Sequence, residues 1–440
     1  MGGFMSTVQR NGFERPLVVK FGGSSLADGE RISKAVEAVL KELKKGSKMV
    51  VVVSAMGKTT DYLLSIVKEV TNNNFSRGSD VDDVLAMGER TSARIFSAAL
   101  KAAGVESRYF DPANPDWPII TNNKPTNADP IISECHQRIN KHVIPLLNEG
   151  IVPVLPGFIG KTLEGEITTL GRGGSDVTAF VVASSIKARQ VVLVTDVDGI
   201  MTADPKLVAS AKRIGEIDVN SLIGLASCGS KFIQRKALKY KDPEIDVKII
   251  NYSHCDLEAE GTLIKGSLSS RIVDLAFPDP VASITIVGNA VSQSPKILHE
   301  IAKTIREVDV PLLGVSANTD SIIVYLPENM LDIIVEPIHK VVLHNSEALS
   351  CSVRKNLAFI KIKTAELEET PGIISQFVKA LSAKNINVYG MFTVASGIHV
   401  FVDVALIDQA LTLIRNSVED FFSLNDLELS MPIKGCVKNV

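Results

Sequence analysis

The sequence predicts an α/β protein in three parts: a three-layer αβα domain on a mainly parallel central sheet, then two ferredoxin-like (βαββαβ) modules in tandem. Three observations predict it. Up to about residue 265, strand-length apolar runs alternate with helical periodicities. A stretch of serines, prolines and turn residues, 266–280, then breaks the pattern. Beyond it, two segments of little mutual identity repeat one order of short elements.

The elements follow in order. Leu17-Val18-Val19 opens a buried strand over 17–21, and Asp28 caps a helix over 28–45. That helix carries Ile32, Ala35, Val36, Val39, Leu40 and Leu43 at three-four spacing, one face for a sheet. Further strands are expected at 49–54, 151–155, 190–195 and 246–251, and helices at 60–73, 80–103, 129–149, 175–188 and 229–240. The first module reads as strand 281–287, helix 295–307, strands 311–317 and 321–326, and helix 328–344. The second reads as strand 357–363, helix 371–384, strands 386–394 and 398–404, and helix 407–422. Boundaries are therefore expected as a flexible extension 1–15, a first domain 16–265, a linker 266–280, and modules 281–352 and 353–440. Whether the last residues, 426–440, return to the first module is left open.

Composition narrows the function. The chain has 440 residues, 45% apolar and 22% charged, with a net charge of -3, so nothing favours nucleic acid as a partner. Its five cysteines are widely spaced and its seven histidines form no metal-binding pattern, which suits reduced thiols in the cytoplasm. Residues 1–15 lack the apolar core of a secretory signal, and the longest apolar runs are strand-length, so no membrane association is expected.

Several loops carry chemistry. Lys20-Phe21-Gly22-Gly23-Ser24-Ser25 places two glycines and two hydroxyls between strand and helix, with a lysine at the strand end. Bare amides and a helix N-terminus there suit a phosphoryl group; an ordinary tight β-α turn would look the same, and the loop alone does not decide. It matches neither G-x-x-x-x-G-K-[ST] nor G-x-G-x-x-G. Thr169-Leu170-Gly171-Arg172-Gly173-Gly174-Ser175-Asp176 is a second such turn. Capping by Ser175 or Asp176 accounts for part of it, but not for three glycines and an arginine that can grip a carboxylate bidentately. Ser54-Ala55-Met56-Gly57-Lys58-Thr59-Thr60-Asp61 offers hydroxyls to a small polar substrate, or is a plain capped loop. Gly88-Glu89-Arg90 falls in a helix, where a solvated charged face is the default. Thr195-Asp196-Val197-Asp198-Gly199-Ile200 either grips a nucleotide or is an acidic turn. Lys231 opposes the dipole at a helix start, which hints at a phosphate.

Together KFGGSS (20–25), VVVVSAMGKTTD (50–61), GER-x-SA (88–93), PGFIG (156–160), TTLGRGGSD-x-TA (168–179), TDVDGI-x-TADP (195–205) and GSK (229–231) resemble the amino acid kinase family, most closely its aspartate kinase branch. The tandem modules resemble the ACT pair of that branch. The resemblance implies an amino acid kinase fold and transfer of phosphate from Mg-ATP to the β-carboxylate of L-aspartate, at the head of lysine, threonine and methionine synthesis. It implies catalytic roles for Lys20, Asp176 and Lys231. Aspartate would contact Ser54, Thr60, Glu89, Phe158, Arg172 and Ser175. ATP would contact Lys20, Gly22, Gly23, Ser24, Thr195, Asp196, Met201, Asp204, Lys206 and Lys231, with Mg2+ carried on its phosphates, within reach of Asp176, and no direct metal ligand. It further implies a homodimer or higher homo-oligomer joined through ACT modules, with lysine or threonine as effector. Ser316, Asn318 and Asp320 are the effector candidates, an edge turn being the equal alternative.

The chain departs from the family in two places: Met201 stands where a tyrosine is usual, and GSKFIQR (229–235) replaces GAKVLHP. Both read as altered nucleotide fit. The competing readings are a kinase of another carboxylate or carbamate, which would lack SAMGKTTD and the ACT pair, and a non-catalytic amino-acid sensor, which would have no reason to keep Lys20, Asp176 and Lys231.

Overall fold

The structure is a computed structural model that describes residues 15–71, 78–226, 233–268, 272–291, 295–363, 372–394 and 397–428. The extension expected over 1–15 lies, apart from Arg15, outside the described residues. The chain divides into two compact units, Met1–Leu268 and Ser269–Val440.

The first unit holds strands β1 (Leu17–Phe21), β2 (Met49–Val53), β3 (Ser107–Tyr109), β4 (Val152–Pro156), β5 (Ile159–Lys161), β6 (Ile167–Thr169), β7 (Gln190–Thr195), β8 (Glu216–Asp218), β9 (Asp246–Asn251) and β10 (Thr262–Lys265). Its helices are α1 (Gly29–Leu43), α2 (Thr59–Val70), α3 (Gly78–Ala102), α4 (Ile132–His142), α5 (Ile144–Asn148), α6 (Gly174–Ile186), α7 (Val219–Ala226) and α8 (Arg235–Leu238). Eight strands form one sheet in the order β3-β4-β2-β1-β7-β9-β10-β8, and β5 pairs with β6 apart from it. All neighbours in the large sheet run parallel except β9 and β10.

The central strands are apolar throughout because helices cover both faces. On β1 and β2, Leu17, Val19, Phe21, Met49, Val51 and Val53 join the core that includes Ile32, Val36 and Val39 of α1 and Phe96 of α3. Val18, Val50 and Val52 point the other way, into the core with Val177, Phe180 and Val181 of α6. Helix α6 is buried along almost its whole length, in keeping with its apolar run from Val177. Registers Phe21↔Val53, Val53↔Pro156 and Phe21↔Val194 align the carboxyl ends of β1, β2, β4 and β7 at one edge, where ligands of such sheets bind.

Two elements of this unit differ from expectation. The helix expected over 129–149 is two helices, α4 and α5, broken at Val143 because Pro145 enters the next helix without an N–H to give. Of the helix expected over 229–240, the described part is α8, and 227–232 lie outside the described residues.

The second unit contains β11 (Ile272–Leu275), β12 (Val281–Gly288), β13 (Gly314–Asn318), β14 (Ser321–Pro327), β15 (Ala348–Lys363), β16 (Gly390–Val394) and β17 (Gly397–Asp403). Helices α9 (Pro295–Glu307), α10 (Leu331–Leu343), α11 (Ile373–Ser382) and α12 (Ile407–Glu428) pack on it. The sheet runs β13-β14-β12-β15-β17-β16, with β11 also on β15.

Here the threading corrects the sequence reading. The strand expected at 357–363 begins at Ala348 and is 16 residues long. Its first half pairs with β12 and completes the first module; its second half pairs with β17 and opens the second. The boundary expected at 352–353 thus falls inside one continuous strand. The stretch expected as a linker contains β11, which pairs Ile272↔Lys363 through Leu275↔Ile360 and gives the second module its fourth strand. Residues 429–440 lie outside the described set.

Asn356, midway along β15, has φ +59°, a left-handed residue that bends the strand. Beyond the bend, strands of the two modules meet over an aromatic cluster. Tyr325 of β14 stacks on Phe401 of β17 at 3.9 Å between centroids, and Phe359 stacks on Phe401 at 4.6 Å. A Cβ at Gly390 would lie 2.2 Å from the Tyr325 hydroxyl, so only glycine allows this approach. Replacing Asn356 by valine should destabilise the protein by about 1–2 kcal/mol in urea denaturation, the cost of a β-branched residue at positive φ, while glycine there should be nearly neutral.

Candidate active site

The loop after β1 is tied to its neighbours by backbone contacts. The Gly22 N–H and the Ser25 Oγ both donate to Val194 O on β7, each at 3.0 Å. A Cβ at Gly23 would lie 2.8 Å from Ala55 O and 2.9 Å from Gly57 O, while the Gly57 N–H donates to Gly23 O at 2.9 Å. The 54–61 loop therefore rests directly on the 20–25 loop. Helix α3 closes on the same spot: a Cβ at Gly88 would come 2.8 Å from Ala55 Cβ and 3.7 Å from Thr60 Oγ1. On the other side Gly157 abuts Ser175, and Gly174 abuts Phe158, whose φ is +66°. Segments separated widely in the sequence converge at the carboxyl edge of the sheet.

At their centre Lys20 Nζ lies 2.7 Å from Asp176 Oδ1, with side-chain exposures of 16% and 9%. This is an ion pair whose alignment leaves Oδ1 without a hydrogen bond. Asp176 sits in the first turn of α6, where the helix dipole favours a carboxylate. The turn before it uses two glycines in the left-handed region, Gly171 at φ +73° and Gly173 at +75°.

Helix α3 supplies two buried carboxylates on one face, seven residues apart. Glu89 is 4% exposed, and its Oε2 has no hydrogen-bond partner. Burial pushes its carboxyl up to about 7, against the opposing pull of the Ala55 amide, its own amide and Lys20. The solvated face expected for Gly88-Glu89-Arg90 is thus overturned, because this stretch of α3 packs against the 54–61 loop and Asp111. Glu89 turns inward, and Arg90 pairs with Asp111 at 3.0 Å. Asp82, fully buried, accepts hydrogen bonds from Thr169 Oγ1 at 2.6 Å and from the Thr126 N–H at 2.9 Å.

Beside this cluster opens a cavity of about 800 Å³. Lys20 and Asp176 stand in its lining with Thr195, Asp196, Met201, Asp204 and Lys206, all expected on the nucleotide side. Leu193, Ile200, Leu225 and Ile249 give it an apolar lining that the sequence reading missed. Leu225 comes from α7, also missed. Its signal was present: Asp218 caps the Asn220 and Ser221 amides ahead of apolar residues 219, 222, 223 and 226 at three-four spacing. The 197–206 excursion is anchored at Gly199, φ +129°, and by the Ile200 N–H donating to Thr262 Oγ1 at 2.8 Å.

Other expected residues stand differently. Ser54 and Ser24 are half-buried in the converging loops, and Arg172 is exposed. Lys231 lies outside the described residues. Among the described residues no group of three or more His, Cys, Asp or Glu side chains could hold a metal ion, and no helix is long and apolar enough to cross a membrane. In the second unit, Ser316 lies on the exposed strand β13, and Asn318 Oδ1 accepts from the Asp320 and Ser321 N–H groups and the Ser321 hydroxyl. Asn318 is thereby engaged in its own hairpin turn.

Gly23→Ala should push the 20–25 and 54–61 loops apart, since both clashing atoms are backbone. Calorimetric titration with an ATP analogue should show binding at least about tenfold weaker, the effect of losing one or two amide contacts to phosphate.

The model of the amino acid kinase family matches residues 15–251. The chain is 31% identical over 382 residues to the aspartokinase of Geobacillus stearothermophilus, covering 84% of this chain and 89% of that protein. It is 29% identical over 417 residues to the aspartokinase of Mycolicibacterium smegmatis, covering 91% and 95%. The crystal structure of aspartate kinase from Synechocystis superposes with a TM-score of 0.72 at 26% identity, over 92% of this chain and 69% of that one. E. coli aspartokinase III, solved in complex with aspartate and ADP, superposes at 0.51 with 22% identity, a likeness of fold. Fold, converging loops and relatives agree, and the chain belongs to the amino acid kinase family, on its aspartokinase branch.

Proposed function

We propose that this protein transfers the γ-phosphoryl group of ATP to the β-carboxylate of L-aspartate, giving 4-phospho-L-aspartate and ADP. The observation that carries the reading is the buried Lys20–Asp176 pair at the edge of the cavity. A carboxylate is already a nucleophile at neutral pH, so the chemistry needs charge neutralisation and alignment more than a base. In this reading Lys20 stabilises charge on the transferring group, with the Gly23 and Ser24 amides along the phosphates and Gly22, its own N–H held by Val194 O, letting the loop come close. Thr195, Asp196, Met201, Asp204 and Lys206 hold the nucleoside side, and Lys231 grips phosphate. Arg172 and Thr60 take the aspartate carboxylates, with Ser54, Phe158 and Ser175 around them. The orphaned Oε2 of Glu89 suits an ammonium, since a buried carboxylate without a partner is costly until a cation reaches it.

Mg2+ bound to the nucleotide would neutralise phosphate charge. The Asp176 carboxylate, already paired with Lys20 through Oδ1, would stand within reach of it. The ACT modules take an effector role in the same reading, with lysine or threonine as ligand, in a homodimer or larger homo-oligomer within the cytoplasm, on a path to lysine, threonine and methionine.

An aspartate hydroxamate assay with ATP, repeated with lysine, threonine and both, tests activity and regulation together. No hydroxamate overturns the first, and flat rates at millimolar effector overturn the second. Lys20→Ala should lower kcat by on the order of 10³ in protein that remains folded by circular dichroism, and near-normal kcat rejects its role.

Glu89 gives a pH signature. With its carboxyl held near 7, it is protonated below that pH and repels no cation but attracts none. The KM for aspartate should rise up to about tenfold per pH unit below 7 and level off above it, and Glu89→Gln should flatten this limb. Its stability effect has the opposite sense. The folded state binds the proton more tightly than the unfolded chain, so this contribution is present at acid pH and lost as pH rises through 7. Glu89→Gln should therefore gain up to about 3 kcal/mol relative to wild type at pH 8, read from urea denaturation.

A further inference from the structure

We propose that Asp82 is the positioning residue of the substrate loop, holding Arg172 at a set place relative to Glu89; this rests on the aspartate reading above. Asp82 and Glu89 lie seven residues apart on α3, and both are buried. Asp82 does not itself line the cavity. Its carboxylate instead receives two different segments. One is Thr169 at the end of β6, whose hydroxyl donates at 2.6 Å. Leu170, Gly171 and Arg172 follow directly, so this bond fixes the root of the loop that carries the guanidinium. The other is Thr126, whose N–H donates to Oδ2 at 2.9 Å and Oδ1 at 3.1 Å.

Thr126 has φ +63°, a left-handed conformation costly for a β-branched residue, which persists only where its surroundings enforce it. The bend brings Asn127 under the loop, where a Cβ at Gly171 would lie 2.7 Å from Asn127 Oδ1. Two more bonds complete the platform. The Ala128 N–H donates to Thr169 O at 2.9 Å, and Lys236 Nζ donates to Asn127 Oδ1 at 2.8 Å. One carboxylate thus links the helix of Glu89 to both the root and the floor of the Arg172 loop. Burial pushes the Asp82 carboxyl upward, against its bonds with Thr169 and Thr126, so the position is maintained at a cost.

The test uses isosteric changes. Asp82→Asn keeps the shape but turns one acceptor into a donor facing Thr169 or Thr126, and Thr169→Val removes the hydroxyl donor. Each should raise the KM for aspartate at least about tenfold with the KM for ATP within twofold, and Thr169→Ser, which keeps the hydroxyl, should restore the wild-type value. Equal losses for both substrates, or an aspartate KM within twofold of wild type, overturn the proposal. Amide hydrogen exchange of the full chain without substrates provides a readout independent of turnover. Exchange across 170–176 should quicken at least about tenfold in both variants while β1 and β7 keep their protection. Unchanged exchange there overturns the positioning role even if aspartate proves not to be the substrate, whereas wild-type protein inactive on aspartate with the exchange difference intact overturns the substrate reading alone.

Discussion

Everything at the sheet edge depends on two opposite charges held out of water. Lys20 and Asp176 come from distant points in the chain, yet the parallel order β2-β1-β7 with α6 packed beneath it leaves them little choice of place. A lone buried ammonium would sacrifice its hydration for nothing, so the carboxylate at the start of α6 supplies the partner that replaces it, 2.7 Å away. The glycines of both loops answer to the same constraint. In the first loop they let backbone approach backbone, Gly23 against Ala55 and Gly57, and in the second they let Asn127, Gln234 and Phe158 come close.

Helix α3 adds a second use of buried charge. Its inward face carries Asp82, whose oxygens are satisfied by protein donors, and Glu89, one of whose oxygens is not. The contrast is informative. A satisfied buried carboxylate holds parts together, and an unsatisfied one awaits a cation from outside. In the proposed reading they divide the work of building a place for a zwitterion and leaving it open.

Much of this was legible in the chain. The strands at 17–21 and 190–195 were readable because short, largely apolar β-branched runs ending at a glycine or an aspartate have few other solutions. The loop motifs were readable because glycine with lysine, arginine or aspartate is an uncommon combination outside anion sites. What escaped was decided by distant partners. Strands β3, β5, β6 and β8 are three residues long and exist only through their neighbours. Glu89 was marked by the family resemblance alone; by its local pattern it looked like any helical carboxylate, since nothing local says which side of α3 faces the 54–61 loop. Asp82 gave no signal either; its importance comes from Thr126 and Thr169, 44 and 87 residues away. The run through 348–363 was divided at the wrong place because Asn356, the one left-handed residue in it, reads as a turn in sequence, while pairing with β12 on one side and β17 on the other keeps the strand continuous.

That shared strand bears on how the polypeptide is made. The second module borrows β11 from ahead of the first module and builds the rest of its sheet from residues after it. A ribosome must therefore synthesise the whole first module before the β11 segment can find its neighbour on β15, and that segment waits with an unpaired edge for more than seventy residues of translation. The first module is in effect an insertion within the second, and one strand, β15, completes the first sheet and releases the waiting edge within a few residues of each other.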